Sequence, residues 1–280
     1  MNEMVYGRGA GSPEIRALGE SLYAQCEENL PFLAIRQPEA YCEKQVPLSA
    51  GEKICCDVPA AVLAGPEDPM KLICDAVQIG RGQMPRALTA QEQDDVIRAL
   101  FHAPRKRELE QAHFTLLFGG LSLSALTHLT RHRMQSMVAP DLLACADYEK
   151  YVLPQSVVNA GMEEAYRAAF AETAATVQLL TAMGEGKEIM PYLLLSGQTV
   201  PVVTTMNAGE LYVFFRLRTC SRAQWEIREI ATDMLKCLRE KYPRLFNLYG
   251  PTCFVTGKCP EGKMCCGKTA EMKEKFSGTL

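Results

Sequence analysis

The sequence predicts a mixed α and β fold in which helices dominate. Three observations carry this reading. Several segments repeat apolar residues at spacings of three and four, two runs at 113–121 and 200–205 are strand-like, and the composition is ordinary for a globular protein, with 48% hydrophobic and 22% charged residues. At 280 residues the chain is long enough to bury a sizeable core, as one large domain or two small ones.

The elements follow in order. Residues 12–28 read as a helix, with Ser12 as N-cap, Pro13 at the first helical position, and Ile15, Leu18, Leu22 and Cys26 on one face. Residues 31–70 contain six prolines without a sustained period and read as irregular or strand-containing, while 72–82 are ambiguous. Thr89 and Glu92 form a T-x-x-E capping box, Val96, Leu100 and Phe101 supply the buried side of the helix behind it, and Pro104 stops that helix. The strand-like run at 113–121 leads into an apolar stripe, Leu123, Leu126 and Leu129, that suits a short helix. The longest predicted helix covers 159–183, with Met162, Tyr166, Ala169, Phe170, Thr173, Val177 and Leu180 on its stripe and Gly184 at its end. Residues 200–218 begin β-rich and continue apolar and aromatic. Ser221 and Gln224 make a second capping box, with Ala223, Ile227, Ile230, Met234 and Leu238 on the inner face of the next helix and Pro243 closing it.

A net charge of −3 argues against a protein built to grip nucleic acid over a broad surface. No apolar run is long enough to span a bilayer and no export signal opens the chain, so a cytoplasmic protein is expected. The twelve cysteines are then free thiols or metal ligands. Four of them, Cys253, Cys259, Cys265 and Cys266, crowd the C-terminus and offer thiolates to zinc or an iron–sulfur centre, although two clean C-x-x-C pairs are lacking.

Three polar stretches carry possible chemistry. Arg131, His132 and Arg133 put two guanidiniums beside an imidazole, donors suited to phosphates and electron-rich rings, or else a solvated basic turn. Arg218 ends the apolar run LYVFFRLR and must find a partner or reach water, whereas Glu226 and Arg228 suit an ordinary surface pair. Arg105, Lys106 and Arg107 form a basic run just before Glu110.

The ordered combination of L-E-x-A-H-F-T at 109–115, R-H-R-x-x-S at 131–136, N-A-x-x-L at 207–211, L-R at 217–218 and A-Q-W-E-I-R at 223–228 resembles the flavin-dependent thymidylate synthases, over roughly residues 90–246. The resemblance implies an α/β fold with a β-sheet flanked by helices, a homotetramer, and FAD held between subunits. It divides the chain into an N-terminal extension at 1–70, the family domain at 71–248 and a cysteine-rich tail at 249–280. The implied reaction is reductive methylation of dUMP to dTMP, with methylenetetrahydrofolate as carbon donor and NADPH as reductant. Position by position it assigns FAD contacts to Glu110, Arg131, His132, Arg133 and Asn207, a folate contribution to the R-H-R segment, and dUMP binding with promotion of uracil ionisation to Arg218. Ser136 and His128 fall at substrate-contacting positions, His128 where the family has glutamine.

The departures concentrate on the nucleotide side. Val138, Ala139, Asp141 and Leu143 replace asparagine, glutamate, serine and arginine of the family motif, and Gly209 replaces an arginine. Gln111 stands where histidine is frequent, and no arginine precedes Pro191 in the family manner. With Leu143 uncharged, Arg105 and its neighbours Lys106 and Arg107 are the expected substitutes for the dUMP phosphate. The remaining alternatives are a diverged flavoprotein with another substrate and a non-catalytic paralogue.

Overall fold

The computed structural model describes residues 13–29, 60–140, 142, 147–184 and 190–278. Ser12, most of the proline-rich stretch, Asp141, Leu143 and Cys145 lie outside the described residues, as does the side chain of Cys26. By its internal contacts the chain forms two compact units: residues 1–54, 142–149 and 154–195 in one, and 55–141, 150–153 and 196–280 in the other. Among the described residues no helix is long and apolar enough to cross a membrane.

The first unit contains α1 (Pro13–Asn29), α5 (Gln155–Asn159), α6 (Glu163–Ala182) and a 3-10 turn at Met190–Leu193. The single helix expected at 159–183 is broken. Gly161 adopts φ +65°, a left-handed conformation that ends α5 and re-aims the chain, so α6 starts at Glu163. Its stripe also carries less burial than the spacing suggests. Phe170 is buried, Tyr166, Thr173, Val177 and Leu180 are half-buried, and Met162 and Ala169 are exposed. Gly184 (φ +79°) follows the helix end, as expected.

The second unit is built on an antiparallel sheet of four strands in the order β1-β2-β4-β3. The strands are β1 (Ala61–Ala64), β2 (His113–Ser122), β3 (Gln135–Val138) and β4 (Thr199–Asn207). The register sets Phe114 opposite Met206, Leu116 opposite Thr204 and Phe118 opposite Val202, and these six residues line the buried face. Thr115 and Thr205 pair directly on the other face, hydroxyl to hydroxyl at 2.9 Å.

Helices α2 (Pro69–Gly80), α3 (Ala90–His102), α4 (Leu123–Leu129), α7 (Ala208–Arg218), α8 (Trp225–Lys241), α9 (Pro243–Phe246), α10 (Thr252–Thr256) and α11 (Thr269–Ser277) complete this unit. The ambiguous stretch at 72–82 is part of α2, which Asp68 caps by accepting from the Lys71 N–H and Pro69 opens. Thr89 and Glu92 form the expected reciprocal box on α3, but Ile97 rather than Val96 joins Leu100 and Phe101 in the core. The second box is displaced: Gln224, not Ser221, caps α8 by accepting from the Ile227 N–H. A cluster of Phe101, Phe114, Phe214, Phe215, Phe246 and Tyr249, joined largely by edge-to-face contacts, fills the core between helices and sheet. Tyr249 reaches the Ala208 carbonyl with its hydroxyl at 3.1 Å and so fixes where α7 begins.

Candidate active site

The site is organised by one face of α7. Asn207, the last residue of β4, turns the chain into the helix by accepting from the Glu210 N–H at 2.8 Å. Glu210, Phe214 and Arg218 then recur every four residues and fall on a common face. All three meet His132. Glu210 Oε1 lies 2.8 Å from His132 Nδ1, the Phe214 ring meets the imidazole edge-to-face at 5.1 Å, and Arg218 Nε donates to His132 Nε2 at 3.0 Å. A guanidinium only donates, so Nε2 is the acceptor; Nδ1 therefore carries the proton and donates it to Glu210.

Arg218 also donates through Nη2 to the His128 carbonyl at 3.1 Å, leaving Nη1 with no hydrogen-bond partner among the described residues. Its pKa is lowered first by burial and second by the nearby positive charge of Arg131. His128 is held below its ordinary value by burial, then by Arg218 and Arg131. This corner is electropositive and partly desolvated, the setting in which a fixed charge stabilises a developing anion most.

The start of α4, the helix whose last turn presents His128, is fixed from α8. Glu226 is buried and accepts from the Ser122 N–H at 2.8 Å and the Ser122 hydroxyl at 2.6 Å, while Ser122 caps α4 through the Ala125 N–H. The expected surface pair of Glu226 and Arg228 is therefore corrected. The carboxylate is turned inward to satisfy two buried donors, and Arg228 donates to the Ser221 and Ala223 carbonyls.

Two cavities flank α7. One of about 400 Å³ is lined by Arg105, Lys106, Arg107, Glu110, Asn207 and Arg216, among others. The basic run and the two carried-over flavin positions Glu110 and Asn207 thus share one concavity. Gly209 belongs there too: a Cβ on it would stand 3.1 Å from Asn207 Oδ1 and 3.4 Å from Glu110 Cγ, so the missing side chain leaves room for this junction. The other cavity, about 280 Å³, is lined by Arg216, Arg218, Arg222, Cys220, Cys253, Cys259 and Cys266, among others.

The remaining predicted residues are distributed unevenly. Arg131 and Arg133 are exposed beside buried His132, and Ser136 is an exposed residue of β3 paired with Thr205. Val138 closes β3 opposite Val203 and is 70% exposed. Cys253 is buried, Cys259 half-buried, and Cys265 and Cys266 exposed. The zinc or iron–sulfur expectation finds no ligand set, because among the described residues no three His, Cys, Asp or Glu side chains converge closely enough to hold a metal ion. Sequence reasoning missed Glu210 and Arg216. The N-x-x-E spacing of Asn207 and Glu210 was the available signal for the first.

The family model described as thymidylate synthase complementing protein matches residues 61–244. This chain belongs to the flavin-dependent thymidylate synthase family. Named relatives include the flavin-dependent thymidylate synthase of Geobacter sulfurreducens, 33% identical over 202 residues, covering 71% of this chain and 87% of the relative. The enzyme of Clostridium tetani is 30% identical over 233 residues, covering 75% and 93%. Among solved structures, a UMP/dUMP methylase from Streptomyces cacaoi bound with 5-Br dUMP aligns with TM-score 0.59 at 19% identity over 69% of this chain and 96% of its own. The Helicobacter pylori flavin-dependent thymidylate synthase complexed with FAD and dUMP aligns with TM-score 0.54 at 18% identity over 68% and 98%. The expected family fold, a sheet flanked by helices, is the one observed.

Proposed function

We propose that this flavin-dependent thymidylate synthase methylates dUMP to dTMP, taking its carbon from methylenetetrahydrofolate and its electrons from NADPH through FAD. The single observation that carries the reading is the Glu210–His132–Arg218 chain, which holds a partly buried guanidinium beside a second arginine. Arg218, with Nη1 unused, meets the uracil edge and stabilises the negative charge that forms when N3 ionises; arginine does not surrender its own proton there. Arg131 strengthens that field, and the buried imidazole keeps the guanidinium from turning away.

The residues present fit FAD. The 400 Å³ cavity combines Asn207, Glu110 and four cations, a donor set suited to a dinucleotide carrying a diphosphate. Glu110, Asn207, Arg131 and Arg133 would hold it, and when bound and reduced it supplies the hydride. The family architecture implies that a homotetramer completes this site. Arg105 and Arg107, exposed at the cavity, would attract the dUMP phosphate in place of Leu143.

A second reading, a different pyrimidine nucleotide, is favoured by Val138, whose exposed isopropyl group stands where the family motif has an amide. The test is direct. Purified protein should show flavin absorption and, with both co-substrates, convert dUMP to dTMP; Arg218→Ala should abolish conversion with the flavin retained. A flavin-loaded enzyme that leaves dUMP unchanged while methylating another pyrimidine nucleotide would establish the second reading.

A further inference from the structure

We propose that Lys106 and Arg216, gathered around the ring of Tyr212, form a phosphate-binding subsite for a nucleotide held in the 400 Å³ cavity. The inference deepens the nucleotide-enzyme reading above and rests on it for the identity of the ligand.

Lys106 Nζ lies 5.4 Å from the Tyr212 ring centroid and Arg216 Cζ lies 5.0 Å from it. Two cations therefore share one aromatic ring, which holds each by its quadrupole but does nothing to neutralise them. Lys106 feels this: burial first, and the Arg216 charge second, lower its pKa. Among the described residues neither cation makes an ion pair. The carboxylates lining the same cavity are otherwise placed, since Glu210 is bonded to His132 and Glu110 is exposed. Among the described residues Lys106 donates only to the Ala103 carbonyl, and the buried Nε of Arg216 has no hydrogen-bond partner.

Arg239 shows what a structural arginine looks like in this chain. It is buried and donates to the carbonyls of Phe246, Tyr249 and Gly278, so each of its three nitrogens has a partner inside the protein. Arg216 has no such set. A point-like ammonium and a planar guanidinium, pre-positioned and unneutralised in a concavity, match the oxygens of a phosphate. Binding one removes the repulsion between them and needs little further ordering of either side chain. Both the cofactor and the substrate of the proposed reaction carry phosphate, so the chemistry is common to the two sources.

Calorimetry separates them. Inorganic pyrophosphate and FAD are titrated into flavin-free protein, and dUMP into flavin-loaded protein, for the wild type, Lys106→Gln, Arg216→Gln and Arg216→Lys. Either glutamine variant should weaken pyrophosphate binding about tenfold or more, with Arg216→Lys keeping most of it and circular dichroism unchanged. FAD weakened with dUMP unaffected assigns the subsite to the cofactor diphosphate; the reverse assigns it to the substrate phosphate. If the wild type binds neither nucleotide yet pyrophosphate binding still depends on Lys106 and Arg216, the subsite stands and the methylation reading falls. Wild-type affinity of both glutamine variants for all three ligands overturns the subsite.

Discussion

Arg218 Nε donates to His132 Nε2 at 3.0 Å, and that bond determines which ring nitrogen of His132 faces Glu210 with a proton. Replacing the imidazole by a benzene ring isolates this polar role. His132→Phe keeps an aromatic partner for Phe214 but leaves Glu210 without the imidazole donor and Arg218 Nε without its acceptor. The expected loss in kcat/KM for dUMP is about 100-fold, with stability reduced by about 2–4 kcal/mol because a nearly buried carboxylate loses its donor. Glu210→Gln retains an acceptor oxygen and should lose less than about tenfold. Steady-state kinetics and urea unfolding of the two variants check this, and near-wild-type turnover by His132→Phe would sink it.

Glu226 is the second buried carboxylate with a definite load, the two donors of Ser122. Glu226→Ala should destabilise the protein by about 2–4 kcal/mol and loosen the start of α4. Glu226→Gln should fall between alanine and wild type. Denaturant midpoints at constant slope would report it.

His128 gives a pH dependence with a fixed sign. Burial, Arg218 and Arg131 hold it below its ordinary 6.5. As pH falls below 6.5, the unfolded chain takes up a proton that the folded one refuses, so stability decreases until the folded pKa is passed and then levels off. His128→Gln should flatten this part of the profile on the acid side of 6.5, measured by chemical denaturation. Equal acid slopes in variant and wild type would contradict it.

Thiol reactivity should be graded. The Ser221 hydroxyl, then the backbone at Lys268, lowers the pKa of exposed Cys266, whereas burial pushes Cys74 up to about 11 and raises Cys253. Iodoacetamide at neutral pH should label Cys266 well before Cys74 or Cys253, since the thiolate is the nucleophile. Peptide mapping at short times checks the order.

Much of the fold was legible where one face of an element is wet. The Thr89 box and the β2–α4 junction are patterned, and the structure places both where the sequence suggests. Helix α7 escaped because Leu211, Tyr212, Phe214 and Phe215 are all buried, so its apolar residues mark no single stripe. Gly161 shows a different gap, since a single left-handed residue interrupts a pattern whose apolar spacing runs on through it. The site was legible as residue types but not as partners. Glu210 reads locally as a first-turn acid, and His132, which makes it part of the site, lies 78 positions earlier. Lys106 is likewise brought to Arg216 only by folding, onto the ring of Tyr212, which lies one turn before Arg216 on α7.

The long pairing of β2 with β4 bears on how the chain is made. Thr115 and Thr205, hydroxyl-bonded across that ladder, are 90 residues apart in sequence. At a synthesis rate of about 5–20 residues per second, β2 leaves the ribosome roughly 5–20 seconds before its partner strand exists. During that interval the segment HFTLLFGGLS has β1 alone to pair with, and its buried-face residues Phe114, Leu116 and Phe118 stand uncovered by β4. Nascent-chain yield should therefore depend on chaperone supply more than the stability of the finished protein does.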